Sequence, residues 1–204
     1  MNRKRTVAAF DFDGTISYHD TLLPFLIFVK GYVKTFFLLF LASPYLLAFM
    51  CKIISRKRAK EQVVTLFFKN IPLNELRTFG RRFAEEKIPS LLRPEVLCQI
   101  AEHLKKNEEC ILISASLEVY LEPWAKSIGF SKVLATRLKT DGRGLITGKI
   151  LGENCWGPEK VVRLEEYAGE RDKYILYAYG NSRGDRELLD YSDFPFYCGK
   201  PVVK

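Results

Sequence analysis

The stretch DFDGT, residues 11–15, follows directly on the apolar run VAAF, residues 7–10. Such a run is typical of a buried strand, so the two carboxylates are expected at the carboxyl end of that strand. An unpaired buried carboxylate is costly, and Mg²⁺ is a cation that carboxylate oxygens commonly bind inside cells. Gly14 allows a sharp turn, and Thr15 offers a hydroxyl and an amide to an anion. The stretch therefore predicts a site for a metal ion and an anion at the edge of a sheet.

Composition narrows the class of protein. The 204 residues suffice for one α/β domain with an inserted subdomain, and the net charge of +8 favours phosphorylated metabolites, acidic membranes or nucleic acid as partners. The five cysteines include no CxxC pair, which predicts reduced thiols in a cytosolic protein rather than a zinc site or a disulfide framework. Only two histidines are present, which argues against a catalytic histidine cluster. A short apolar run follows the basic start MNRKR, so no cleavable signal peptide is expected.

Strand and helix patterns alternate along most of the chain. Strands are predicted at residues 6–11, 110–114, 132–136 and 174–178, with an edge strand at 194–198 and a glycine-containing hairpin at 138–151. Helices are predicted at residues 93–106, 118–127, 159–167 and 185–191. This alternation predicts an α/β fold, a Rossmann-like doubly wound parallel sheet that binds ligands at the carboxyl ends of its strands.

Residues 16–87 differ from the rest because their patterns are almost wholly helical. Two strongly apolar segments, residues 22–29 and 35–51, come first and are accompanied by basic residues. Two amphipathic helices are predicted to follow, at residues 58–70 and 73–86. The segment is therefore expected to form a second, helical unit inserted into the α/β chain.

Three later segments place polar side chains at predicted strand ends and helix starts. Ser114 ends an apolar strand and could donate an uncharged hydrogen bond to phosphate. Lys160 lies in a first helical turn, where the helix dipole disfavours a cation, so it is a stronger candidate for neutralising anions than an average surface lysine. The segment GNSRGD, residues 180–185, follows another strand. Each feature taken alone, including the Asp-Gly turn after residue 12, has a plainer structural explanation.

Together these segments resemble the four motifs of the haloacid dehalogenase superfamily of phosphotransferases, in the same order. The runs ILISASLEVYL, GKILGENCWGPEKVVRL and GNSRGDRELL are similar to the phosphoserine-phosphatase-like branch, subfamily IB. Across most of its length the chain looks similar to the phosphatidylglycerophosphatase C type, although the specific motifs are those of the catalytic core. The resemblance implies a core of residues 1–15 and 88–204 and a helical cap of residues 16–87, inserted after the first motif.

The resemblance also implies roles for individual residues. Asp11 is the expected nucleophile, which forms an aspartyl-phosphate, and Asp13 is the expected general acid and base. Thr15, Ser114 and Lys160 are expected to bind the phosphate.

The resemblance further implies a Mg²⁺ ion held by Asp11, Asp13, Asn181 and Asp185. The family usually has an aspartate at the position of Asn181, and that aspartate normally binds the metal directly. The amide oxygen of Asn181 still suits Mg²⁺ but removes one negative charge. Metal affinity should therefore fall, or Asp185 should carry more of the binding.

The apolar segments are the only indication of the substrate. Their composition and basic flanks favour a helical hairpin on an anionic membrane, at the inner face of the cytoplasmic membrane, with packing into the cap as the alternative. The expected activity is therefore Mg²⁺-dependent hydrolysis of a phospholipid monoester such as phosphatidylglycerophosphate. A soluble substrate such as phosphoserine is one alternative. A non-catalytic membrane-surface adaptor is the other, and Asn181 would be the first sign of its decayed site.

Two further classes are disfavoured. Residues 180–184 read G-x-S-x-G, but a serine hydrolase of that kind needs a histidine after the serine, and both histidines precede Ser182. Basic residues beyond Arg58 are interleaved with acidic residues, and no nucleic-acid-binding motif is recognised. Neither an esterase nor a nucleic-acid partner is therefore expected.

Overall fold

A single mixed sheet organises the structure, a computed structural model that describes residues 4–202. Residues 1–3 and 203–204, which the predicted core includes, lie outside the described residues. Seven strands in this part of the chain follow the spatial order β4-β3-β2-β1-β5-β6-β7. They are β1 (Arg5–Phe10), β2 (Glu109–Leu117), β3 (Lys132–Thr140), β4 (Ile146–Leu151), β5 (Tyr174–Gly180), β6 (Phe194–Tyr197) and β7 (Lys200–Pro201).

The five central strands are parallel, and each edge strand is antiparallel to its neighbour. β3, β2, β1, β5 and β6 pair in parallel, whereas β4 pairs with β3 and β7 with β6 in antiparallel fashion. The predicted α/β fold with a doubly wound, mostly parallel sheet is confirmed. The expectation of an edge strand at residues 194–198 is wrong, because β7 pairs outside β6. β7 has only two residues, too few for a sequence pattern.

Four consecutive helices follow β1, in the segment of residues 16–87 predicted to be helical. They are α1 (Leu22–Lys30), α2 (Tyr32–Met50), α3 (Arg56–Phe68) and α4 (Leu73–Glu86). The remaining helices are α5 (Pro94–Lys105), α6 (Glu118–Ser127), α7 (Pro158–Ala168) and α8 (Arg186–Tyr191). α3 begins earlier than predicted because Ser55 caps it, its side chain accepting a hydrogen bond from the Arg58 amide. The division into core and cap at residues 15 and 88 stays a prediction.

β1 lies at the centre of the sheet because its side chains are apolar towards both faces. Val7, Ala8, Ala9 and Phe10 are fully buried. Ala8 and Phe10 pack into one hydrophobic cluster, whereas Val7 and Ala9 pack into the cluster on the other face. This is the environment of a parallel strand covered on both sides. The first polar side chain after this buried strand is Asp11, at the carboxyl edge of the sheet.

α4 joins the helical block to the core through a close backbone contact with α6. A Cβ atom on Gly80 would lie 2.0 Å from the backbone oxygen of Val119. Since backbone cannot yield as a flexible side chain does, we expect Gly80→Ala to lower the free energy of unfolding by about 1–3 kcal/mol. Urea denaturation measures the change. Gly142→Ala is the matched control because that glycine faces open space, and equal losses in both variants would contradict the tight contact.

Candidate active site

The ends of β1 and β5 bring two of the sequence motifs together. The strands are adjacent and parallel, and the Asp11 amide donates a hydrogen bond to the Tyr179 carbonyl at 2.9 Å. Asn181 follows β5, and the Thr15 hydroxyl lies between its Oδ1 atom and Asp11 Oδ2, at 3.2 and 3.1 Å. Parallel strands therefore place Asp11, Thr15 and Asn181 at one edge of the sheet, as expected for ligand-binding α/β proteins.

Lys160 bridges the two buried carboxylates at this edge. Its Nζ atom lies 2.6 Å from Asp11 Oδ1 and 2.5 Å from Asp185 Oδ1. Lys160 is 1% exposed, and α7 carries it into the site in its first turn. Burial alone would lower the pKa of Lys160, but the charges of Asp11 and Asp185 outweigh burial and raise it. The unusual position of this lysine near the start of a helix is thus explained by its two acidic partners.

Among the predicted metal ligands, Asp185 accepts the most hydrogen bonds through its carboxylate. Besides Lys160, it accepts hydrogen bonds at Oδ2 from the Ser182 amide, the Ser182 hydroxyl and the Asn181 amide, at 3.0, 2.7 and 3.2 Å. Burial tends to raise the pKa of Asp185, but Lys160 and the hydrogen bonds from Ser182 hold it below its usual value. Asp185 therefore holds the turn of residues 180–185 and keeps Lys160 in place.

Asp11, Asp13 and Asn181 are, together with Asp185, the residues predicted to hold a Mg²⁺ ion, and this set of ligands stays a prediction. Burial is the main reason that the pKa of Asp11 is raised to about 7, in spite of Lys160. A carboxylate whose charge is so poorly compensated suits a divalent cation. Among residues 4–202, no cluster of three or more His, Cys, Asp or Glu side chains has a metal-binding arrangement. Carboxylate, amide and backbone oxygens are nevertheless the donors that Mg²⁺ prefers, so the residues present fit this ion.

Gly14 allows the backbone of the first motif to approach Asn181. Its φ is +76°, in the left-handed region, and a Cβ atom there would lie 2.1 Å from Asn181 Nδ2. A larger residue would displace the amide that faces Thr15 and strain the backbone. The Asp-Gly pair thus does form a sharp turn, and that turn is packed against the end of β5.

Asp13 lies in a different environment from Asp11. Its Oδ1 atom accepts hydrogen bonds from the amide and the hydroxyl of Thr21, at 2.9 and 2.6 Å, and its Oδ2 atom accepts one from the Ser116 hydroxyl. Burial first and the charge of Asp20 second raise the pKa of Asp13 to about 6, against the effect of these hydrogen bonds. A carboxyl group with this pKa can both donate and accept a proton near neutral pH.

Sequence reasoning missed the two residues that hold Asp13. Ser116 lies two residues beyond Ser114, because β2 continues to Leu117 rather than ending at residue 114. The period of two along a strand could have indicated that both serines share a face. Ser114 is 1% exposed, and its hydroxyl accepts a hydrogen bond from the Ser116 amide at 3.1 Å. For Thr21 the sequence carries no comparable signal.

The two raised pKa values predict how stability depends on pH in the absence of divalent metal. The folded pKa values of Asp11 and Asp13 are about 7 and about 6, against 3.8 for an unperturbed aspartate. The folded protein therefore binds more protons than the unfolded chain between about pH 4 and 7, so stability should fall as the pH rises through this range. We expect the unfolding free energy to be lower at pH 8 than at pH 5 by about 4 kcal/mol.

Urea denaturation in a chelating buffer at both pH values would measure this difference. The variant Asp11→Asn should show a weaker dependence, because one of the two titrating groups is gone. A free energy of unfolding that is constant or rises between pH 5 and pH 8 would contradict the effect of burial.

The sequence of this chain matches a known protein family. The model of the haloacid dehalogenase-like hydrolases matches residues 8–190. Protein CicA of Caulobacter vibrioides is 33% identical to this chain over 205 residues, which cover 99% of this chain and 91% of that protein.

Solved structures share the fold. A protein of unknown function from Bordetella pertussis Tohama I has a TM-score of 0.80 at 21% identity, over 96% of this chain and 90% of that one. A substrate-bound phosphoserine phosphatase has a TM-score of 0.62 at 15% identity, over 99% and 90% of the two chains. A phospho-aspartyl intermediate analogue of phosphoserine phosphatase has a TM-score of 0.60 at 15% identity, over 97% and 88%.

These matches extend over nearly the whole chain and include the segments that carry Asp11, Ser114, Lys160 and Asp185. The roles of these residues and the phosphatase activity stay predictions, whereas the membership of the haloacid dehalogenase superfamily that the four motifs predict is confirmed. The chain belongs to the haloacid dehalogenase-like hydrolase family.

Proposed function

We propose that this protein is a Mg²⁺-dependent phosphomonoesterase that works through an aspartyl-phosphate and acts on a phospholipid such as phosphatidylglycerophosphate. The observation that carries the proposed chemistry is the unequal environment of the two carboxyl groups. Asp11 contacts Lys160 and Thr15, whereas Asp13 accepts hydrogen bonds from Thr21 and Ser116. Two carboxyl groups in different environments can take different roles in one reaction.

In the proposed reaction, a carboxylate oxygen of Asp11 attacks phosphorus in line as the bond to the leaving oxygen breaks. Asp13 donates its proton to that oxygen, so the alcohol leaves neutral. Asp13 then takes a proton from water, whose oxygen attacks the aspartyl-phosphate and releases inorganic phosphate and free Asp11. Lys160 and the hydroxyls of Thr15 and Ser114 bind the oxygens of the transferring group. A Mg²⁺ ion held by Asp11, Asp13 and either Asn181 or Asp185 would screen the repulsion between carboxylate and phosphate.

The exposed face of α2 supports a substrate in a membrane. α2 is long and apolar enough to cross a membrane by length and composition, with a mean hydropathy of 1.8, yet only 11% of this segment is buried. A core helix would bury most of this surface. The exposed apolar residues on α2 are Tyr32, Val33, Phe36, Phe37, Phe40, Leu41, Tyr45, Leu47 and Met50. An apolar patch of this extent on a monomer indicates a membrane or a partner.

The charges around α2 favour an anionic membrane over a protein partner. Residues 21–60 contain no aspartate or glutamate. The same segment contains seven basic residues, namely Lys30, Lys34, Lys52, Arg56, Lys57, Arg58 and Lys60. Basic residues near an interfacial apolar helix add attraction to anionic lipids. We therefore place the protein at the cytoplasmic face of the membrane, with α2 in the lipid headgroup region.

The experiment that tests the proposed function measures phosphate release from phosphatidylglycerophosphate in mixed micelles, with phosphoserine as the soluble comparison. Hydrolysis of the lipid that requires Mg²⁺ would support the proposal. Hydrolysis of phosphoserine alone would keep the chemistry and favour the soluble alternative. The absence of metal-dependent hydrolysis of both substrates and of a generic aryl phosphate would favour the non-catalytic adaptor.

A vesicle-binding experiment tests the membrane partner separately. We expect Phe37→Ser/Phe40→Ser to reduce binding to vesicles containing phosphatidylglycerol at least about 10-fold, because two exposed aromatic side chains no longer enter the lipid. Sedimentation with vesicles measures the binding. Val162→Ser is the matched control, because Val162 is an exposed apolar residue on α7. Wild-type protein that fails to bind, or equal loss in both variants, would contradict the role of α2.

A further inference from the structure

A buried tyrosine on α6 connects the two hydroxyl groups that hold Asp13. Tyr120 is fully buried, and its hydroxyl lies 3.2 Å from Thr21 Oγ1. The Ser116 hydroxyl is a second hydrogen-bond partner of this phenol. Thr21 Oγ1 donates to Asp13 Oδ1 at 2.6 Å, and the Ser116 hydroxyl donates to Asp13 Oδ2. The four side chains therefore form one hydrogen-bond network, in which Tyr120 reaches Asp13 through two hydroxyls.

The number of hydroxyl protons fixes the direction of this network. Each serine or threonine hydroxyl has one proton, and those of Thr21 and Ser116 go to Asp13. Their oxygens can then only accept a hydrogen bond from Tyr120, so the phenol is the donor at this end of the network. Burial first and the charge of Asp13 second raise the pKa of Tyr120 above its usual value, against the hydrogen bonds with Ser116 and Thr21. The phenol thus keeps its proton at neutral pH.

Aromatic packing from the helical block fixes the ring of Tyr120. Its centroid lies 4.7 Å from that of Phe25 on α1 and 5.4 Å from that of Phe83 on α4. α4 also approaches the backbone closely, because a Cβ atom on Gly80 would lie 3.2 Å from the Tyr120 amide nitrogen. A ring packed in this way has little freedom to move. The phenol is therefore held at a fixed distance from Thr21.

A fixed donor at this position helps a general acid. When Asp13 is protonated, the oxygens of Thr21 and Ser116 compete with the leaving oxygen of the substrate for its proton. An oxygen that already accepts the proton of Tyr120 competes less well. When Asp13 is ionised, the same donor keeps the hydroxyl protons directed at the carboxylate, since donors in a chain polarise one another.

We infer that Tyr120 is a positioning residue for the general acid, which acts through Thr21 and Ser116 to orient the carboxyl group of Asp13 towards the leaving oxygen. The inference rests on the proposed phosphatase function. It concerns the step in which the bond from phosphorus to the leaving oxygen breaks and the proton of Asp13 passes to that oxygen.

The plainer role for Tyr120 is packing in the core, and leaving groups of different basicity separate the two roles. 4-Nitrophenolate departs without a proton, phenolate is more basic, and the alkoxide of glycerol 3-phosphate needs a proton to leave. A packing defect would affect all three esters equally. kcat/KM covers the steps up to departure of the leaving group, so it excludes the hydrolysis of the aspartyl-phosphate that all three share.

The experiment measures kcat/KM with Mg²⁺ for 4-nitrophenyl phosphate, phenyl phosphate and glycerol 3-phosphate. Tyr120→Phe keeps the ring and removes the donor. We expect it to lower kcat/KM about 10-fold for glycerol 3-phosphate and less than about threefold for 4-nitrophenyl phosphate, with phenyl phosphate between them. Phenyl phosphate has nearly the shape of 4-nitrophenyl phosphate, so this pair tests the effect even if glycerol 3-phosphate is a poor substrate.

Tyr174→Phe is the matched control. It also removes a buried phenol, but Tyr174 begins β5, whereas the site lies at the other end of that strand. This variant should leave all three values within about twofold of wild type.

Thr21→Val tests the same route independently and applies even if Tyr120→Phe fails to fold. It keeps the Thr21 amide, which donates to Asp13 Oδ1 at 2.9 Å, and removes the hydroxyl between Tyr120 and Asp13. We expect the same selective loss. Tyr120→Phe should add less in the Thr21→Val background than in wild type, because residues on one path are not additive.

Equal loss for all three substrates in Tyr120→Phe, or no loss, would overturn the positioning role while leaving the phosphatase intact. Fully additive losses in the double variant would also overturn it, because Tyr120 would then act by another route. Wild-type protein that hydrolyses none of the three esters with Mg²⁺ would overturn the proposed function and this inference with it.

Discussion

Replacing Asp11 with asparagine is expected to lower phosphate release at least about 1000-fold, because an amide cannot form the aspartyl-phosphate. The same change should leave the metal-free protein equally stable or more stable at pH 8. Burial raises the pKa of Asp11 to about 7, so its charged form is disfavoured in the fold. The asparagine keeps an oxygen that can accept hydrogen bonds from Lys160 and Thr15.

Steady-state phosphate release and thermal unfolding, both with and without Mg²⁺, would measure these two effects. Asp190→Asn is a suitable control because Asp190 is an exposed carboxylate on α8. Asp11→Asn protein with more than about one tenth of wild-type activity would show that another group is the nucleophile. A large loss of stability would show that Asp11 is needed for folding as well.

Replacing Lys160 with methionine is expected to affect both activity and stability. Lys160 is the cation that contacts the buried carboxylates of Asp11 and Asp185. Removing one partner of a buried ion pair leaves uncompensated charge and typically costs about 3–5 kcal/mol. We expect a loss of stability in this range at pH 8 and a loss of activity of at least about 100-fold.

A double variant separates the electrostatic cause from a packing defect. Lys160→Met leaves the carboxylates of Asp11 and Asp185 without a cation. The double variant Lys160→Met/Asp185→Asn removes one of these two charges, so it should be more stable than Lys160→Met alone. Urea denaturation at pH 8 and at pH 5 would measure the three proteins, and the defect of Lys160→Met should shrink at pH 5, where Asp11 is protonated. A defect that is independent of pH and is not relieved by Asp185→Asn would indicate lost packing rather than unpaired charge.

The expected position of the site followed from local patterns. An apolar run that ends in carboxylates is typical of a buried strand that delivers them to its end, and the parallel topology brings neighbouring strand ends together. Asp11, Thr15 and Asn181 meet for this reason. Lys160 stood out because a cation near a helix start needs an acidic partner, and the structure shows two.

The hydrogen-bond partners of Asp13 and of Asp185 could be identified only from the tertiary structure. Ser116 reaches Asp13 across 103 positions in the chain, and such a contact depends on the register of two strands and on how far β2 continues. The resemblance of GNSRGD to the family's fourth motif implied that Asp185 is a metal ligand, and that role stays a prediction. The fold shows that its oxygens accept hydrogen bonds from Lys160, Ser182 and Asn181. A motif states which atoms are available, but only the fold shows which of them are already used.

The sequence by itself determined the α/β fold, the helical insertion and the carboxyl edge at which the chemistry is placed, because these depend on residue periodicity and strand order. It could not decide whether α2 is a core helix, since an apolar helix has the same composition in a core and at a membrane. Only the tertiary structure showed that most of α2 is uncovered. Burial and pairing depend on what packs against a residue, and its own neighbours in sequence do not contain that information.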